Sequence, residues 1–244
     1  MKLGVVIPVF RPGDELERVV TDLRIFARAR GIRLKVVLVE DAGGGAEAVR
    51  ALVRRHSGVT GVLLHKNVGQ QRATYLGLTR LPDCDAIVTM DQDGAHPAAL
   101  LADMLARIRE GADLCYAVPV QAGLSAFRRM GAALRDVLFT LSTNKPRGVR
   151  VGAYRAMTGA LARRIAPEPD GYIYLSAAAF RHKPRAVSIC YDAAPAKSSS
   201  YTPWKRIRLY GGLLLHYSPL RVLCRGRKPK PPCRVTVLPG KGFL

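Results

Sequence analysis

The sequence predicts an α/β fold in which a mostly parallel central sheet is flanked by helices. Three observations carry that expectation. Short apolar runs alternate with helical patterns through the first 120 residues. Those runs are rich in Val, Leu and Ile without strict polar alternation, as expected for strands buried on both faces of a parallel sheet. The chain has 244 residues and 48% hydrophobic content, which is enough to bury the core such a sheet needs. With 23 Gly and 16 Pro the composition is that of a globular protein and excludes disorder for most of the chain.

Strands are expected over residues 3–9, 34–39, 59–64, 86–90 and 112–118, and helices near 14–30, 46–56, 69–80 and 97–110, where apolar residues recur at three- and four-residue spacing. After residue 120 the regularity fades. Phe127, Met130, Leu134, Val137, Leu138 and Leu141 form an apolar stripe beside Arg128, Arg129 and Arg135. Two helices near 155–165 and 172–183 precede a strand near 185–191, and an amphipathic stretch spans 203–223. From Arg225 an extended, mobile, basic tail is expected. The organisation is then residues 1–120 as one half of a domain, 121–223 as its second half, and 224–244 as the tail. No run approaches the roughly 18 apolar residues of a membrane span, and Met-Lys-Leu-Gly leads straight into a strand rather than a signal peptide.

Five cysteines (Cys84, Cys115, Cys190, Cys224 and Cys233) are scattered, odd in number and never spaced CxxC, so neither a disulfide framework nor a zinc site is expected. A reducing cytoplasm suits them, with Cys115 and Cys190 expected in the core. Charge divides the chain more sharply. The net charge is +21; residues 1–113 hold 16 basic and 14 acidic residues, whereas 114–244 hold 23 basic and only 4 acidic. The second part should face something anionic: nucleic acid, an acidic membrane surface or a phosphorylated substrate.

In open parallel sheets ligands bind beyond the carboxyl ends of the strands. That rule selects Pro8, Val9 and Phe10, then Glu40 to Gly45, then Asp91 to His96. Asp91-Gln92-Asp93 directly follows the fourth apolar run, and two carboxylates one residue apart can reach one hard divalent cation and leave positions for diphosphate oxygens. Glu40-Asp41 closes the second run and could accept hydrogen bonds from a nucleobase or ribose, with Gly43-Gly44-Gly45 allowing close backbone approach. Neither a GxGxxG fingerprint nor a Walker A sequence is present. His96 beside the carboxylates could touch diphosphate or metal, or be a polar turn residue.

Taken together, Val5-Val6-Ile7-Pro8-Val9-Phe10, Val39-Glu40-Asp41, Asn67-Val68-Gly69-Gln70-Gln71-Arg72-Ala73 and Thr89 through Pro97 resemble the family 2 inverting glycosyltransferases of GT-A fold, and within them the polyprenyl-phosphate transferases of the dolichol-phosphate mannose synthase group. Gly152-Ala153-Tyr154-Arg155 is similar to that group's Gly-Ser-Phe-Arg segment. The resemblance implies that Pro8, Val9 and Phe10 border the nucleotide, Glu40 and Asp41 read base or ribose, and Gln70 and Gln92 lie at the donor. It implies that Asp91 and Asp93 hold Mg²⁺ or Mn²⁺, Asp93 with a catalytic role, and that Arg155, with Lys197, meets the acceptor phosphate. Departures from the group's pattern are Glu40 where Asp is usual, Ala95 where Gln often follows the metal motif, Val149 where Asp often stands, and Ala194 in place of an Arg.

The activity so implied is metal-dependent transfer of a sugar from a UDP- or GDP-linked donor to a polyprenyl or dolichyl phosphate, by a peripheral protein on an anionic membrane surface at the cytoplasmic face. A phosphate acceptor fits the basic second half. It is already mostly ionised at neutral pH, so no general base is required. The rivals are a same-fold enzyme glycosylating a soluble or natural-product acceptor, and a polyanion-binding protein on a decayed transferase fold. No nucleic-acid motif supports a specific nucleic-acid partner.

Overall fold

A computed structural model describes residues 1–120, 139–140, 143, 145–167, 173–192, 216–217 and 233–244. Five strands and four helices alternate through the first half: β1 (Lys2–Val9), α1 (Glu15–Ala29), β2 (Arg33–Glu40), α2 (Ala46–Arg55), β3 (Val59–Leu64), α3 (Gln70–Leu78), β4 (Ala86–Thr89), α4 (Leu101–Arg109, entered through a 3₁₀ turn at Ala98–Leu100) and β5 (Leu114–Val120). Then come β6 (Arg155–Thr158), α5 (Gly159–Ile165), α6 (Leu175–Arg181), β7 (Ala186–Asp192) and β8 (Val235–Leu238). They form one eight-stranded sheet in the order β7-β5-β6-β4-β1-β2-β3-β8. Six strands run the same way, and β6 and β8 run against them.

The two-residue period of a strand divides the core. Leu3, Val5, Ile7 and Val9 of β1 join Leu34, Val36 and Leu38 of β2 on the face covered by α1, α2 and α4. Val6, Val37 and Val39 join the opposite face, under α3, α5 and α6. Helix α1 buries Leu16, Val19, Val20, Leu23, Phe26 and Ala27, the three- and four-residue spacing that made it legible.

Three expectations are corrected. The region read as a helix from 155 begins with strand β6, wedged antiparallel between β4 and β5, and the helix starts only at Gly159. Thr158 makes the switch: it ends the strand and caps α5, its hydroxyl accepting from the Leu161 N–H at 3.1 Å. The expected mobile tail is instead pinned at its end, because Val235–Leu238 pairs antiparallel with β3 and covers an edge that would otherwise be open. Cys190 is exposed on the edge strand β7, not in the core. Cys84 and Cys115 are buried, and burial pushes both thiols up to about 11. The apolar stripe at 127–141, the amphipathic stretch at 203–223 and Lys197 lie outside the described residues, save Phe139, Thr140, His216 and Tyr217.

Helix α3 lies close on the sheet because Gly77 has no side chain. A Cβ there would stand 2.4 Å from Val6 Cγ1 and 2.8 Å from Val39 Cγ2, both core atoms with no room to withdraw. Gly77→Ala should therefore destabilise. Overpacking of about 1–3 kcal/mol outweighs the gain in helix propensity of about 1 kcal/mol. A urea midpoint at or above the wild-type value would show that α3 can lift without cost.

Candidate active site

The carboxyl ends of β1, β2, β3 and β4 lie side by side, since all four strands are parallel and in register. Each sequence-selected segment therefore opens at one rim. Glu40 and Asp41 stand there, but both are only 3% exposed. Glu40 Oε1 accepts from the N–H groups of Gly43 (2.6 Å) and Gly45 (3.1 Å), and Oε2 from Ala42 (3.2 Å). Asp41 Oδ1 accepts from the Val68 N–H at 2.6 Å and Oδ2 from the Gly69 N–H at 2.8 Å. Both carboxylates are thus engaged in shaping loops. Burial holds the Asp41 carboxyl above its ordinary value, against the pull of its two backbone hydrogen bonds.

Gly69, at φ +87°, turns the chain into α3 with a backbone angle that an L side chain resists. The turn puts Gln70 first in the helix, where Nε2 donates to Asp91 Oδ1 at 2.5 Å. Gln92 faces the other way: its Oε1 accepts from the Phe10 N–H and its Nε2 donates to the Phe10 carbonyl, both at 2.9 Å. That pair fixes the β1 loop against the β4 loop and leaves the Phe10 ring 44% exposed, lying over Gly43, where a Cβ would meet it at 2.5 Å. Pro8 is buried and lines a narrow recess with Gln70, Thr89, Asp91, Ala153 and Arg155. Val9 contributes its side chain to the core and its carbonyl to the Asp41 N–H.

Asp93 is exposed, and its Oδ1 accepts from the Ala95 N–H at 3.0 Å. Asp91 is more enclosed. Burial raises its carboxyl above the ordinary 3.8; the Asp93 charge adds to the rise, while His96, Arg155 and Gln70 oppose it. Burial conversely holds the His96 imidazole below its ordinary 6.5. Asp91 and Asp93 supply hard oxygen donors of the kind that bind Mg²⁺ or Mn²⁺. Such a cation takes one or two protein carboxylates and completes its shell with water and substrate phosphate. Among the described residues no group of three or more His, Cys, Asp or Glu is placed to hold a metal.

Arg155 enters the site from β6 and is 3% exposed. Its Nε donates to Thr89 Oγ1 (3.1 Å) and to the Ala153 carbonyl (3.4 Å), and its Nη1 to Ser176 Oγ (2.8 Å). Among the described residues it has no carboxylate within ion-pair distance. A buried guanidinium with only neutral partners makes its surroundings strongly attractive to an anion. Thr89 and Ser176, which hold it, escaped the sequence reading. Ser176 had a faint signal, a lone hydroxyl within the apolar run Leu175 to Phe180 of its helix. A separate cleft of about 510 Å³ opens between α1 and residues 94–99, away from Arg155.

Six codirectional strands, an Asp-x-Asp loop at their carboxyl ends and a helix that starts beside it define a glycosyltransferase of GT-A fold. The chain belongs to glycosyl transferase family 2, whose sequence pattern matches residues 4–165. It is 25% identical over 233 residues to the undecaprenyl-phosphate 4-deoxy-4-formamido-L-arabinose transferase of Salmonella paratyphi B, an alignment covering 91% of this chain and 70% of that protein. Solved structures agree on the fold. The mannosyltransferase of Pyrobaculum calidifontis in complex with GDP-Man and Mn²⁺ has a TM-score of 0.59 at 17% identity, over 93% of this chain and 65% of that one. The glucosyl-3-phosphoglycerate synthase of Mycobacterium tuberculosis with Mn²⁺, UDP and phosphoglyceric acid has 0.62 at 12%, over 98% and 87%. The family and the relatives matched are glycosyltransferases, and the chain is an enzyme of that class.

A carboxyl whose folded value is raised holds a proton that the unfolded chain has already released. The resulting stability is fully present below 3.8 and is lost as pH rises through the raised value. Asp91→Asn should therefore flatten this loss and, without divalent ions at neutral pH, raise the thermal midpoint by roughly 2–4 °C for each kcal/mol recovered. A lower midpoint would mean that the charged carboxylate stabilises the fold.

Proposed function

We propose that this glycosyltransferase is metal-dependent and inverting, and that it moves a sugar from a UDP- or GDP-linked donor to a polyprenyl or dolichyl phosphate at the cytoplasmic membrane face. One observation carries the reading: the buried Arg155 guanidinium, which has only neutral partners among the described residues, shares a recess with Asp91 of the Asp-x-Asp loop. The similarity to an undecaprenyl-phosphate sugar transferase supports it, as do the 23 basic residues after position 113. No helix among the described residues is long and apolar enough to cross a membrane. A basic surface on anionic lipid, at about 1 kcal/mol per Lys or Arg, offers peripheral attachment.

In this reading residues 1–120 form the donor half and 121–223 the acceptor and membrane-facing half of one domain. The exposed Phe10 ring offers the nucleobase a stacking surface, while Glu40, Asp41 and Gln92 act by fixing the loops around it. Asp91 and Asp93 hold the divalent cation, which when bound neutralises the diphosphate leaving group. Arg155, with Lys197 as a second cation, holds the acceptor phosphate near the anomeric carbon. The phosphate is mostly dianionic at neutral pH, with its second pKa near 6. Its oxygen can attack directly, forming the new glycosyl bond as the bond to the nucleoside diphosphate breaks, and no residue has to accept a proton.

Calorimetric titration of UDP and GDP, with and without Mn²⁺, tests the donor side. One nucleotide should bind in a Mn²⁺-dependent way, and Asp91→Ala/Asp93→Ala should lose that dependence with the fold intact; unchanged binding in the variant removes the metal role. On the acceptor side Arg155→Lys is the useful substitution, because alanine would empty a buried site. It should lower transfer to a polyprenyl phosphate roughly ten- to a hundredfold with donor binding unchanged. An equal loss of both would count against the assignment.

A further inference from the structure

His96 is the least explained side chain near the carboxylates, and its contacts define one role for it. It is 11% exposed. Its Nδ1 accepts the backbone N–H of Asp91 at 2.9 Å, which closes the loop from 91 to 96 on itself. A ring nitrogen that accepts carries no proton, so the neutral imidazole has its N–H on Nε2. That nitrogen lies 3.8 Å from Asp91 Oδ2. The ring stacks on Tyr154 with centroids 4.7 Å apart and planes 16° apart. Tyr154 is fully buried, and its hydroxyl donates to the Pro97 carbonyl at 2.9 Å. The same segment is held a second time by Tyr191, whose hydroxyl donates to the Ala95 carbonyl at 3.3 Å.

We infer that His96 is a positioning residue for Asp91 and not a metal ligand: stacked on Tyr154, it fixes the Asp91 backbone through Nδ1 and presents Nε2–H to the Asp91 carboxylate. Both ring nitrogens are then committed. Nδ1 spends its lone pair on a backbone amide, and Nε2 has its lone pair in a bond to hydrogen, so neither is left for a cation. Gln70 donates to Oδ1, while His96 Nε2 stands 3.8 Å from Oδ2, an electrostatic contact longer than a hydrogen bond. Among the described residues exposed Asp93 has only its own turn. Asp91 is the fixed carboxylate of the pair and Asp93 the adaptable one. Partners that orient a ligand in this way typically change metal affinity by about 10–100-fold when removed.

The inference rests on the proposal that Asp91 and Asp93 hold a divalent cation, and its test separates the two. In ¹⁵N-histidine-labelled protein, with the His96 signals assigned by their loss in His96→Asn, Nε2 should carry the proton and keep it when Mg²⁺ and UDP or GDP are added. An Nδ1–H tautomer before addition, or loss of the Nε2 proton with a metal-bound shift after it, overturns the inference. Mn²⁺ affinity in the presence of the nucleotide gives a second readout. His96→Asn keeps an acceptor where Nδ1 stood and should remain within about threefold of wild type. His96→Phe keeps the ring on Tyr154 without an acceptor and should lose about 10–100-fold. Equal large losses in both variants would overturn the role given to Nδ1. Failure of the wild type to bind any divalent ion would defeat the metal reading itself, whereas the tautomer in metal-free buffer still decides the orientation of His96.

Discussion

The carboxylate of Asp41 ties the end of β2 to the start of α3, and the rest of the site is placed relative to that tie. Its two oxygens take the N–H groups of Val68 and Gly69. Those are backbone donors that a loop turning into a helix would otherwise leave open. Gly69 sets the first turn, and the first turn sets Gln70 against Asp91. Asp91 in turn gives its N–H to His96, and His96 lies on Tyr154, the residue before Arg155. One run of contacts thus crosses four strands, from a loop carboxylate to a buried cation. Removing a single acceptor at its head leaves a buried N–H unsatisfied, at a cost of about 1–3 kcal/mol.

Charge is handled unequally along that run. Asp91 is desolvated and close to a second carboxylate, and Arg155 is desolvated without a carboxylate partner among the described residues. Burying an ion carries a penalty of several kcal/mol after relaxation, which falls on Arg155 and only in part on Asp91, whose side chain is 31% exposed. Hydrogen bonds from Gln70 to one, and to Thr89 and Ser176 from the other, offset part of it. A cation beside the first and an anion beside the second would relieve both at once.

Legibility in the sequence followed the physics of burial. Strands β1 to β5 showed because a strand covered on both faces is a continuous apolar run. Strand β6 did not: Arg-Ala-Met-Thr has no such run, and only pairing with β4 and β5 makes it a strand. Strand β8 was hidden because four residues of β-forming sequence sit close behind a basic, proline-rich stretch. At the site, the Asp-x-Asp loop and Gln70 were legible from their spacing and their resemblance to a known family. The hydrogen-bond partners of Glu40, Asp41 and Gln92 were not, because they are backbone groups, which every residue possesses and no sequence singles out. Nor could residue order pair Arg155 with Thr89, 66 positions away.

The pairing of β8 with β3 also sets the timing of synthesis. His65 and Thr236, which face each other across this seam, are 171 residues apart. At roughly 5–20 residues per second on the ribosome, β3 waits on the order of ten to thirty seconds for the strand that covers it. Through that interval β3, Val-Thr-Gly-Val-Leu-Leu, lacks the strand that pairs with this edge among the described residues. The seam that completes the sheet is thus the longest-range one among the described strands, the kind of contact that slows folding, and until it forms that edge is a template on which other chains can pair.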